Sequence, residues 1–187
     1  MLKIKSKILF IFTLSVLFSM TQEEMLAEFK DAFRYTINFV NPTTNNSHFG
    51  IEINAEIKDG FYMSSADSLS LAPTNIIWEN VTLFKNISII NEEPKPIIKK
   101  DDYGLENPIH TNSVKISQEY TLVDGLEARV YTFKGNFEYQ VCNDMQCIPH
   151  ETIFTKDIKI SIEDNQYELE WDGKEAILEE EKINENC

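Results

Sequence analysis

From Tyr35 onward the apolar residues fall on alternate positions. Tyr35, Ile37 and Phe39 alternate with Thr36, Asn38 and Val40; after the turn-rich Asn41-Pro-Thr-Thr-Asn-Asn-Ser47, the residues Phe49, Ile51, Ile53, Ala55 and Ile57 alternate with Gly50, Glu52, Asn54, Glu56 and Lys58. A period of two puts successive side chains on opposite faces of a pleat, so both segments are expected as half-buried strands. Asp59-Gly60 marks a turn, Phe61-Tyr-Met63 a short strand, and Thr74-Asn-Ile-Ile-Trp78 another after Pro73. Later, Val114, Ile116, Tyr120 and Leu122 alternate with Lys115, Ser117, Glu119 and Thr121. The Asp124-Gly125 turn leads into a long run over 128–141, and Phe154, Ile158, Ile160 and Ile162 share one face of a last strand. Met25, Phe29 and Phe33 recur at four-residue spacing without alternation between them, which predicts a short amphipathic helix. Many short strands with turns between them and little helix predict an all-β chain: an immunoglobulin-like antiparallel β-sandwich, with a β-barrel as the runner-up.

The ends read differently. The chain opens with a basic stretch carrying Lys3, Lys5 and Lys7, then an apolar run over 8–20, then polar Thr21-Gln-Glu-Glu24, the pattern of a secretory signal peptide. The apolar run falls short of the roughly 20 residues a membrane-spanning helix needs, so no stable membrane insertion is expected after cleavage. The expected organisation is a signal peptide over 1–21, a short amphipathic segment over 22–33, the sandwich over 34–165 and an acidic tail over 166–187. That tail, rich in glutamate, is expected as a frayed helix or a disordered segment.

Charge excludes one class of partner. The formal net charge is −14, and without the three signal lysines 14 basic residues remain against 31 acidic ones, about −17. Nucleic acid is disfavoured, because its main affinity term is the neutralisation of phosphates by cations. With six glycines in the chain, no phosphate-cradling loop stands out.

The candidate chemistry lies in three cysteines. Export permits disulfides, and Cys142 and Cys147 are natural partners, which leaves Cys187 for a free thiol or an intermolecular bond. If Phe137, Tyr139 and Val141 face inward, Cys142 points to the outer or edge face, and Asn143-Asp144 turns the chain toward Cys147. A structural staple and a redox-active pair both fit. A disulfide closing so small a loop removes only about 2 kcal/mol of unfolded-state entropy, where one spanning a sandwich would give about 4 kcal/mol or more. Short-loop disulfides are also more easily reduced, which suits exchange. Cu(I) binding by Cys142, Cys147, His150 and Met145 is a further reading, since soft sulfur ligands select that ion. Against a zinc site, the chain holds three histidines and no second cysteine pair, so no metal and no cofactor are expected.

The run Tyr139-Gln-Val-Cys-Asn-Asp-Met-Gln-Cys-Ile-Pro149 resembles the active-site hairpin of the periplasmic N-terminal domain of the DsbD thiol:disulfide interchange proteins. Asp59-Gly-Phe-Tyr-Met63, Ala72-Pro-Thr74 and Asp101-Asp-Tyr-Gly104 fall in that family's order, the last at its cap loop, and the resemblance covers roughly residues 34–162. It implies an immunoglobulin-like domain that relays electrons by thiol–disulfide exchange. Cys147 would form mixed disulfides with partners and Cys142 would resolve them. Tyr103 and Asp102 would cap the pair, with Phe61, Tyr62, Asp144 and His150 in support. The implied partners are a thioredoxin-like domain or membrane electron donor acting in trans and periplasmic disulfide oxidoreductases as acceptors. The alternative is a non-catalytic immunoglobulin-like binding module whose short disulfide is structural. The chain departs from the family pattern at His150, where many relatives carry a second proline, and in a cysteine spacing one residue shorter.

Glu138, Asp144 and Glu151 lie close to the cysteines, and no Lys or Arg occurs between Gly135 and Thr155. Neighbouring anions disfavour the thiolate, so the pair is expected to be sluggish until a partner docks. His150 is read either as a proton-transfer aid or as exposed, solvated surface.

Overall fold

The computed structural model describes residues 21–41, 47–79, 82–100 and 104–183. The expected signal segment, the cap residues Asp102 and Tyr103, and Cys187 therefore lie outside the described residues. Among the described residues no helix is long and apolar enough to cross a membrane.

The expected helix is α1 (Gln22–Asp31), and its start follows from Thr21. The Thr21 hydroxyl accepts from the Glu24 amide at 3.2 Å while the Glu24 carboxylate accepts from the Thr21 amide at 2.8 Å, a reciprocal cap that satisfies two otherwise unpaired donors. Phe29 is buried, its ring edge-on to Phe61 with centroids 5.1 Å apart. Phe33, read as the helix's last apolar position, instead opens β1 (Phe33–Val40). Its backbone is claimed by pairing with Ile57, at the head of an alternating run that suits a strand better than a further helical turn.

Two antiparallel sheets follow. The first contains β1, β2 (His48–Ile57), β5 (Phe84–Asn86), β6 (Asn91–Glu93) and β9 (Ser113–Leu122), in the order β1-β2-β9-β5 with β6 also on β9. The second contains β3 (Tyr62–Ser64), β4 (Asn75–Trp78), β7 (Ile97–Lys100), β8 (Glu106–His110), β10 (Arg129–Cys142), β11 (Cys147–Glu163), β12 (Gln166–Glu170) and β13 (Ile177–Ile183). Its order is β12-β11-β10-β3-β8-β7, with β4 on β10 and β13 on β11. The inner faces carry the alternating residues expected of them: Ile37, Phe39, Phe49, Ile51, Ile53, Ile116 and Tyr120 from the first sheet meet Phe133, Phe137, Tyr139, Val141, Phe154 and Ile158 from the second. Trp78 stands edge-on to Phe49, Phe84, Tyr120 and Phe154, with centroids 4.8–6.1 Å apart. The architecture is thus the immunoglobulin-like sandwich read from the sequence.

The tail corrects the sequence reading. Instead of fraying, residues beyond 165 supply two strands that pair along β11, because the charged side chains need not enter the core for the backbone to be paired. Glu170 stays exposed and Glu168 is only half-buried, while Tyr167 and Leu169 pack against the core, and the Tyr167 hydroxyl accepts from the Leu126 amide at 2.8 Å. The connection between β12 and β13 also fastens the two sheets. The Phe39 amide donates to the Lys174 carbonyl and the Ala176 amide to the Ile37 carbonyl, each at 2.7 Å, while buried Lys156 of β11 donates to the carbonyls of Asp172 and Glu175 at 2.5 and 2.8 Å.

A second inter-sheet tie is polar and buried. Glu92 on β6 accepts from the Ser65 hydroxyl at 2.6 Å and the Ala66 amide at 2.8 Å, and its carboxylate lies 3.0 Å from His110 Nε2 on β8. Burial alone would raise the Glu92 pKa, but the bonds from His110, Ser65 and Ala66 win and hold it below the ordinary carboxylate value. A group depressed in this way stabilises the fold above its unfolded pKa, and that contribution is lost as pH falls through the folded value.

Two stability outcomes follow from this packing. Glu92→Gln is expected to cost about 1–3 kcal/mol at pH 7, since a buried site loses its charged acceptor. In urea titrations it should also decline less steeply than the wild type below about pH 4.3, the ordinary carboxylate range. At Gly135, opposite Phe154 on β11, an added Cβ would meet the Phe154 ring at 2.4 Å. Gly135→Ala is expected to lower stability by about 1–3 kcal/mol in the same titration; unchanged stability would contradict the β10–β11 register.

Candidate functional site

The β10–β11 pairing runs without a break from Arg129↔Ile160 to Cys142↔Cys147, and the cysteines are its last pair. Beyond them the turn is set by Asn143. Its amide donates to the Gln146 carbonyl at 2.9 Å, and its side-chain Oδ1 accepts from the amides of Met145 and Gln146 at 2.9 and 3.0 Å. Asparagine favours such local side-chain-to-backbone bonds in turns. Because Asn143 and Gln146 are joined through their backbones, the next pair inward is non-hydrogen-bonded, the kind whose Cα atoms lie closest. The Cys142 and Cys147 Cα atoms are 4.0 Å apart, and the two sulfurs form a disulfide.

The two sulfurs are not equivalent. Cys142 is 0% exposed while Cys147 is only half-buried. Cys142 lies on the face opposite Val141, as the alternation predicts, but it is neither at a sheet edge nor exposed. β10 is an inner strand, so Cys142 has Cys147 on one side and Tyr62 of β3, its partner in register, on the other.

One cation reaches the site from a distant strand. Lys99 on β7 places its ammonium 3.9 Å from the centroid of the Tyr62 ring and 2.8 Å from Asp144 Oδ1 in the hairpin turn. Burial would lower the Lys99 pKa, but the bond to Asp144 and the proximity of Tyr62 raise it overall; the same bond holds the Asp144 carboxyl below its ordinary value. The acidic surroundings read from the sequence therefore lacked a cation supplied by a residue 45 positions away, for which no local pattern gives a signal.

The other expected site residues divide by face. Tyr62 and Asp144 stand beside the disulfide. Phe61 is buried against Phe29 and belongs to the core. His150 is 3% exposed rather than solvated, on the face of β11 that carries Ile148, Thr152 and Phe154. Its ring stacks on Tyr139 with centroids 5.1 Å apart and planes 8° apart. Tyr139 in turn packs on Phe33, Tyr35 and Phe137, so this aromatic layer floors the hairpin from the interior side. His150 and the two cysteines thus occupy opposite faces, which removes the shared ligand set of the copper reading. Met145 at the turn is 92% exposed. The cleft lined by Val130, Leu169 and Trp171 lies toward the other end of β10 from the cysteines.

A disulfide at a strand end with one sulfur enclosed and the other half-buried can be approached by another protein's thiolate at the half-buried sulfur. The family comparison agrees with that chemistry. The family model of the thiol:disulfide interchange protein DsbD, N-terminal, matches residues 23–159. Among solved structures, the crystal structure of the Neisseria meningitidis DsbD N-terminal domain in the reduced form is similar, at 17% identity and a TM-score of 0.46, over 70% of this chain and 86% of that one. No curated protein matches the chain. With the family match spanning most of the chain and both cysteines of the hairpin, the protein belongs to the DsbD N-terminal family of thiol:disulfide interchange proteins.

Proposed function

We propose that the chain is an exported, periplasmic relay that takes reducing equivalents from a thioredoxin-like donor acting in trans and passes them to disulfide oxidoreductases. The observation that carries this reading is the unequal exposure of the bonded sulfurs: Cys142 is enclosed and Cys147 is half-buried at the turn. An incoming thiolate has access to Cys147 first.

The exchange balances at each step. When the oxidised protein is charged, a donor thiolate attacks Cys147 Sγ, a donor–Cys147 bond forms, and Cys142 leaves as a thiolate. The donor's second thiolate then attacks the donor sulfur of that mixed disulfide and releases Cys147. The donor is oxidised to its disulfide, two electrons have moved, and two protons complete the dithiol. In the delivering direction the Cys147 thiolate attacks the acceptor's disulfide, and Cys142 then attacks Cys147 Sγ to release the acceptor as a dithiol. Cys142 needs little movement for this step, because the strand pairing holds it opposite Cys147. Tyr62 flanks the resolving sulfur, and the family resemblance assigns Asp102 and Tyr103 to a cap that shields the pair between partners. Phe61 and His150 serve as framework in this reading, which is consistent with their burial.

Single-cysteine variants expressed in the exporting cell test the scheme. Cys142→Ala is expected to accumulate mixed disulfides through Cys147, visible on non-reducing gels and identifiable by mass spectrometry, while Cys147→Ala accumulates few or none. Equilibration with glutathione should give a potential above about −300 mV. A much lower potential, together with no trapped partner, would leave a structural disulfide in a non-catalytic binding module.

A further inference from the structure

The cation contact that the described residues make at the hairpin turn has no role in the exchange chemistry as described. Lys99 sits on β7, the edge strand of its sheet, yet its ammonium crosses to the turn that joins the cysteines and rests over the ring beside Cys142. Asp144, the residue it bonds, is two positions from Cys142 and three from Cys147. The charged and titratable groups on the surrounding elements are few among the described residues. They are Tyr62 on β3, Lys99 on β7 and Asp144 in the turn, with Glu138 and Glu151, two cross-strand pairs further down the same face of β10 and β11. On β8, Glu106 is engaged with Lys100 at 2.9 Å.

Resting on the exchange reading, we infer that Lys99 is a positioning residue that offsets the Asp144 charge and so sets the fraction of Cys147 present as thiolate in the reduced protein. An anion in the turn disfavours a second anion on the sulfur, and a cation bonded to the first cancels most of that repulsion. The ammonium's seat over Tyr62 fixes where the cancelling charge lies, since a cation is held over the face of an aromatic ring. Asp144 is 91% exposed, so a docking partner can reach the same carboxylate and compete for it.

The test uses the full chain carrying Cys142→Ala and Cys187→Ser, so that Cys147 is the reporting thiol, and follows its alkylation by iodoacetamide as a function of pH. Lys99→Met is expected to move the alkylation profile to higher pH and slow the reaction at pH 7 about two- to fivefold, the range of an exposed charge interaction. Asp144→Asn is expected to move the profile the other way. The double variant should return close to the parent, and 1 M salt should shrink both single shifts. A purely mechanical latch would shift both single variants in the same direction; that result, or an unchanged profile for Lys99→Met, overturns the inference. Failure here is separable from failure of the exchange reading, since partner trapping by Cys142→Ala is scored independently of the alkylation profile.

Discussion

The register of β10 against β11 is the constraint on which the site depends. Side chains alternate faces along a strand, so a slip of one residue would turn Cys142 and Cys147 to opposite sides of the sheet. What prevents the slip is the interior of the sandwich rather than the sulfur bond. Phe133, Phe137, Tyr139 and Val141 on one strand and Ile148, Phe154 and Ile158 on the other must all stay buried together, and Gly135 leaves the space that the Phe154 ring fills. A shift would expose several large apolar side chains, each worth about 1.5–3 kcal/mol when fully buried. The disulfide closes a very short loop and adds only about 2 kcal/mol through the unfolded state. The sulfurs are therefore aligned by the core whether or not they are bonded, which lets the bond open and close without loss of the geometry.

The same reasoning explains what was legible in the sequence. The strands through Ile37 and Phe39, Ile51 and Ile53, Ile116 and Tyr120, and Phe133 to Val141 announce themselves because one face is buried and the other is not, which prints a period of two. The stretch from β5 to β8 left no such print. Its strands are three to five residues long, β6 reads Asn-Glu-Glu, and β8 carries Pro108, so neither alternation nor composition marks them. The tail misled for a related reason. Glutamates mark β13 as unfit for a core, yet an edge strand requires only backbone partners, and β11 supplies them from His150 to Thr155. The cysteine hairpin was readable as chemistry because all its parts are local. The enclosure of Cys142 and the approach of Lys99 were not, since both come from strands placed beside the hairpin by the sheet order alone.

Polar ties between the sheets serve the site indirectly. The Glu92 cluster draws β6 of the first sheet onto Ser65 and His110 of the second, and His110 pairs in register with Met63, next to Tyr62. Tyr62 is in turn the sheet partner of Cys142. A carboxylate buried in this way is tolerated only when its hydrogen-bonding capacity is met, and the arrangement that meets it also fixes β3 and β8. The wall on the far side of Cys142 is thus held by contacts reaching through the sandwich, as the Cys147 side is held by the ladder.

Net charge and local charge act at different ranges here. The chain carries 31 acidic residues, but at physiological ionic strength exposed charges are screened beyond about 8 Å. Most of that negative charge therefore bears on which macromolecules approach, and little of it on the sulfurs. The thiolate responds to what stands within a few ångströms of the turn, and there the acid is already bonded to a cation 2.8 Å away. Composition suggests a site suppressed by its acidic neighbours; geometry gives a site near local neutrality within an acidic molecule. A partner that withdraws Lys99 from Asp144 disfavours the thiolate, and one that neutralises Asp144 while leaving Lys99 in place favours it. In the proposed role of Lys99, docking and reactivity meet at that ion pair rather than in the charge of the whole chain.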